Sequence, residues 1–203
     1  VKQSSGFGPR RRAAVTGHSH AVGMSPYTGR LGLPVAPEGV SLTDAPRYLH
    51  TLARSIDVEG VPATAVTLID DGLLGGEVHD TRSAAEAGLL ASTGHAAELG
   101  GTPSGAQARN LLLAGGDAGP VEALIMPVDR GVAIGRIDRV VAEGPGSTRF
   151  TAIGRAAYAI ERGTPTRLLG DVLLSGDLVE LVASIEGLTT EGERVADLHR
   201  MPA

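Results

Sequence analysis

Five aromatic side chains serve the whole chain: Phe7, Tyr27, Tyr48, Phe150 and Tyr158, with no Trp. A core of ordinary density must then be filled by Ala, Val, Leu and Ile, whose thin side chains bring backbones close together. The 29 glycines fit that picture, because they allow close approach and tight turns. They are scattered rather than periodic, which excludes a collagen-like chain. With 42% hydrophobic and 20% charged residues over 203 positions, one good core is within reach.

The chain has no Cys, which removes disulfides, thiolate metal sites and Cys nucleophiles. No run approaches the ~20 apolar residues of a membrane span. Arg10, Arg11 and Arg12 are followed only by the short stretch Ala13-Ala14-Val15, not by the apolar region of a signal peptide. The expectation is a cytoplasmic protein of bacterial type, without membrane attachment. Lys2 is the only lysine, so Schiff-base and Walker-type lysine mechanisms lack a candidate in the body of the chain. A net charge of −5 with so few aromatics argues against nucleic acid as a partner. The Arg10–Arg12 run reads as a solvated arm.

Residues 1–9 are expected to form a flexible arm and 10–203 a single domain. Strands are predicted near Arg12–Thr16, Pro62–Ile69, Val121–Met126 and Arg167–Leu174, on β-branched runs bounded by turn residues. Helices are predicted between them. One starts at Thr43-Asp-Ala-Pro46, with Leu49, Leu52 and Ile56 inward, and another is capped by Asp80 or Thr81 and runs through Leu89–Ala91. A third starts at Ser104 and passes Leu111–Leu113. A fourth covers Ser147–Gly163 with Phe150, Ile153, Ala157 and Ile160 on one face, and a fifth follows Ser175. Val132–Val141 fits either state. The alternation favours an α/β domain with a mainly parallel sheet, with α+β and antiparallel strands as the alternative.

In a parallel sheet, ligands bind beyond the carboxyl ends of the strands. Gly17-His18-Ser19-His20, Asp70-Asp71-Gly72, Asp129-Arg130-Gly131 and Ser175-Gly176-Asp177 follow the four predicted strands, so that edge is the expected site. His18 and His20, two apart on extended backbone, could ligate one divalent ion (Zn, Mn or Fe), with Asp71 completing the set. Asp70 is the candidate base, His79 a further imidazole, and Arg130 the holder of a substrate anion. The competing readings are plain ones: a backbone-bonding loop pair for His18 and His20, an Asp-Gly turn for Asp71-Gly72, and a helix cap for Asp80. No Walker loop, no dinucleotide fingerprint and no Gly-x-Ser-x-Gly is present.

These features point to a hydrolase or lyase acting on a small polar metabolite, possible metal assistance coming through His18 and His20. The alternative is a non-catalytic homo-oligomeric assembly module, suggested by the small-residue faces Ala84–Ala97 and Ile153–Ile160 if these are helices.

Overall fold

The structure, a computed structural model, describes residues 25–49, 52–99, 101–114, 116–144 and 147–192. The described residues fall into two compact units, one centred on 25–114 and the other on 116–181 with 185–192. His18 and His20 lie outside the described residues.

The first unit holds β1 (Ser41–Asp44), β2 (Val66–Asp70), β3 (Leu73–Leu74), α1 (Thr81–Glu86), β4 (Ala96–Leu99), β5 (Thr102–Ala106) and β6 (Leu111–Ala114). Four of the strands form a sheet in the order β3-β2-β1-β6, every pair antiparallel, and β4 and β5 form a separate hairpin. Leu68, Val78, Ala106 and Ala108 are its buried centre, with Leu42, Val66 and Leu111 packed against them. The turn from β2 to β3 is two residues long, Asp71 and Gly72, with φ of 47° and 81°. Both positive angles identify the primed turn that matches strand twist. Asp80 caps α1 in a reciprocal pair: its side chain accepts from Ser83 N–H, and the Ser83 hydroxyl accepts from Asp80 N–H.

The second unit is a meander of long strands, β7 (Arg130–Ala142), β8 (Arg149–Glu161) and β9 (Thr164–Asp177), again antiparallel throughout. Short helices α2 (Val121–Ile125) and α3 (Leu178–Ala183) precede and follow it. Across β7–β9, Arg155 pairs with both Asp138 and Asp171.

The mainly parallel α/β expectation is overturned: among the described residues every sheet is antiparallel, and the helices are short. The stated α+β alternative describes the chain. β8 shows how the periodicity misled. Its buried residues are Phe150, Ala152, Gly154, Ala157 and Ile160. The first three follow the strand period of two. Ladder irregularities after Gly154 and around Ala157–Ile160, with Ala156 at φ 49°, then shift the phase and imitate helical spacing. The 43–56 helix also fails, since Leu49, Leu52 and Ile56 are 92%, 78% and 58% exposed and residues 41–44 are strand β1. Residues 102–106 and 111–114 are strands where the Ser104 helix was expected, and Val121–Ile125 is helix where a strand was expected. The small-residue helix faces proposed for assembly are therefore not helical faces, apart from α1.

The β8–β9 turn is Arg162–Gly163, with φ of 49° and 74°, and its N–H groups donate to Asp129 O and Val128 O. A Cβ on Gly163 would stand 2.4 Å from Met126 O. Gly163→Ala combines a strained φ with a backbone clash, and should lower the unfolding free energy by more than about 1 kcal/mol in denaturant titration.

Candidate functional site

The polar centre of the first unit is built on Asp44, the last residue of β1. It stands two positions beyond Leu42, on the same side of the strand, and is fully buried. Asp44 Oδ2 accepts the Arg109 N–H at 2.6 Å and Oδ1 the Asn110 N–H at 3.2 Å. His95 Nε2 lies 3.4 Å from Oδ2, a close contact without the geometry of a directed hydrogen bond. Burial alone would push the Asp44 carboxyl up. His95 and the two backbone donors outweigh it and hold the pKa below the ordinary carboxylate value.

His95, also fully buried, is turned by Thr93, whose Oγ1 and carbonyl oxygen stand 2.8 and 2.9 Å from Nδ1. Thr93 Oγ1 also accepts the His79 N–H at 2.7 Å and donates to His79 O at 3.0 Å, linking the two imidazole-bearing segments. His79 is buried, its Nδ1 without a hydrogen-bond partner, and Glu77 Oε2 lies 4.0 Å from its Nε2. Desolvation draws the His79 pKa below the ordinary imidazole value, against the pull of the Ser83 hydrogen bond and of Asp80, and the same burial raises that of Glu77. Asp57 completes the centre: Oδ1 accepts from Glu59 and Val61 N–H, and Oδ2 from Ala96 N–H, all at 2.9 Å.

The expected site residues fall as follows. Asp70 is exposed at the end of β2. Asp71 is held in the turn, its Oδ1 accepting the Gly39 N–H at 2.6 Å and its N–H donating to Ser41 Oγ. His79 belongs to the buried centre, and Arg130 opens β7 in the other unit. The convergence on one sheet edge rested on parallel strands, and the antiparallel pairing removes that premise. Asp44, Asp57 and His95 had no signal of their own beyond the shared face of Leu42 and Asp44.

Whether these residues suit a metal is decided by their donors. Asp44 and Asp57 already have both oxygens bonded to backbone N–H groups, Asp80 Oδ1 is bonded by Ser83, and His95 Nδ1 is engaged by Thr93. Among the described residues no three His, Asp or Glu side chains are grouped to hold an ion. The buried centre does not fit a metal site; it is a hydrogen-bonded brace.

Comparison with known proteins defines first a class, the carboxyl-terminal part of a peptidase-type protein. The model of the PmbA/TldA metallopeptidase C-terminal domain matches residues 12–199, and the chain belongs to that family. A protein named metalloprotease from Methanothermobacter thermautotrophicus is 29% identical over 170 residues, 83% of this chain and 37% of that protein. TldE from Thermococcus kodakarensis is 25% identical with a TM-score of 0.73, over 89% of this chain and 40% of that one. A Thermotoga maritima protein described as a modulator of a DNA gyrase is 26% identical with a TM-score of 0.71, over 87% and 40%. The chain thus spans about two fifths of the length of these relatives. No helix among the described residues is long and apolar enough to cross a membrane.

Two pH effects follow. His79, with its lowered pKa, resists protonation when folded, so stability should begin to fall as pH drops below about 6.5. Asp44, also lowered, contributes stability that is complete above 3.8 and is lost as pH falls through its folded value. Denaturant titrations across pH should show both phases, with His79→Gln removing the first. Asp44→Asn should remove the second and cost about 3 kcal/mol at neutral pH, by unpairing buried donors.

Proposed function

We propose that this chain is the carboxyl-terminal domain of a metal-dependent hydrolase that acts on peptides. The family match over residues 12–199 carries this reading, and it replaces the small polar metabolite expected from sequence with a peptide substrate. The same match leaves hydrolase, rather than lyase, as the reaction class.

Strand β9 supports a peptide substrate. It runs 14 residues and, among the described residues, pairs only with β8. At about 3.4 Å per residue, its free edge could take an extended peptide as an added strand, main-chain hydrogen bonds supplying affinity for many sequences. The hydrolytic metal is assigned away from the buried Asp44–His95 centre, whose donors are engaged. This chain's own candidates for ligands are His18 and His20, and the remainder of the protein is the other source.

The test is turnover of unstructured peptides by the full-length protein, with and without chelator. Chelator-sensitive cleavage is expected, and a peptide N-methylated at alternate backbone positions should bind at least tenfold more weakly than its parent. Absence of any peptide cleavage overturns the reading. Elemental analysis of His18→Ala/His20→Ala separates the ligand sources: loss of metal assigns these imidazoles, and full retention assigns the rest of the protein.

A further inference from the structure

The loop after β1 inverts the usual placing of side chains. Among the described residues of 45–58, charge is drawn inward: Asp57 is buried and bonded to backbone N–H groups, and the guanidinium nitrogens of Arg54 are all buried. The large apolar side chains stand outward instead. Leu49 and Leu52 are almost wholly exposed, and Tyr48, Ile56 and Val58 are exposed beside them. Apolar residues scattered singly over a surface need no explanation, but a cluster of this density marks an interaction surface.

Looseness does not explain the inversion, because the backbone is fastened at several points. Tyr48 N–H donates to Ala45 O, Arg54 N–H to Pro46 O at 2.7 Å, and Asp57 N–H to Val61 O, while Leu52 O accepts from Asn110 Nδ2 at 2.9 Å. The Arg54–Pro46 bond brings the stretch that carries Leu52 against the stretch that carries Tyr48 and Leu49. Ala63 N–H donates to Ser55 O, and Ile56 bridges Pro62, which fixes the loop to residues 62–65. Stretches 45–48 and 63–65 wall an open cleft of about 420 Å³, with Ala45, Pro46, Ala63 and Ala65 among its lining. Exposed aliphatic side chains therefore flank a groove of small apolar residues, and Arg47 is the one fully exposed charge among the described residues of 45–58.

We propose that this face seats the part of the full-length protein that precedes this domain, in a permanent contact within one polypeptide. Two observations choose that occupant. The family domain is a carboxyl-terminal one, and this chain spans about two fifths of its relatives, so a protein built like them carries about three fifths of its length outside it. The face is also poor in charge and rich in aliphatic side chains, the character of contacts that do not come apart, whereas transient partners meet more polar surfaces. The contact is structural and is read without reference to peptide hydrolysis.

The experiment places the photo-crosslinker p-benzoylphenylalanine at Leu52, and separately at Leu49, in the full-length protein. Irradiation should yield a species of monomer mass, with the crosslink mapped by mass spectrometry to the polypeptide preceding this domain. Crosslinks between two molecules would name a second copy as the occupant, and crosslinks lost on adding an unstructured peptide would name substrate; either overturns the proposal. Crosslinks confined to this domain, or none at all, overturn it by showing a bare face. Leu49→Asp/Leu52→Asp covers the case in which the crosslinker variants do not fold, since both side chains are exposed within this domain. It should speed limited proteolysis between the preceding part and this domain at least tenfold, and an unchanged rate overturns the proposal.

Discussion

The first unit depends on one buried carboxylate. Asp44 ends β1, and its two oxygens gather the N–H groups of residues 109 and 110, immediately before β6, while His95 approaches from the residue before β4. Three segments distant in sequence are pinned at one point. A buried charge of this kind is tolerated because backbone N–H groups on both oxygens and a neighbouring imidazole face it. The aromatic-poor core explains the need: Ala and Val surfaces pack closely but specify position weakly, and hydrogen bonds of fixed direction supply the register that large rings would otherwise give.

This brace also separates architecture from chemistry. The polar residues that look most like catalytic material, Asp44, Asp57, His79 and His95, are buried, and the carboxylates of Asp44 and Asp57 are engaged with backbone N–H groups. The family to which the chain belongs is named for metallopeptidases, and the chain covers only about two fifths of its relatives. A domain that supplies a rigid frame and a strand edge, with the reacting groups outside the described residues, is consistent with both facts.

Local signals were legible where one short stretch decides the outcome. Asp80 caps α1, Asp71–Gly72 makes a turn, and a strand ends at residue 70, each close to its sequence reading. Signals that depend on phase over ten or more residues were not, because the irregularities in β8 rewrite the period without changing its composition. Direction was illegible too. Nothing in a strand's own residues says whether its neighbour runs parallel, and the expected site fell with the expected sheet. Thr43-Asp-Ala-Pro46 reads as a helix start because an acid after a capping residue and a buried anchor use the same chemistry, an oxygen accepting backbone N–H, and differ only in what surrounds them.

The two-residue turn at Arg162–Gly163 bears on the order in which the chain assembles. It brings Glu161 opposite Thr164, so β8 and β9 zip from neighbours in sequence, a low-entropy closure of the kind that hairpins complete in about 1–10 μs. The β1–β6 ladder instead joins Ser41 to Ala114, and must close a long intervening loop before Asp44 finds its donors. During synthesis, β1 can pair with β2 on one side while its other edge waits for β6, whereas the meander pairs almost as soon as it emerges. The amino-terminal unit is therefore the slower partner in folding although it is made earlier, and its waiting strands are where a chaperone would find most to hold.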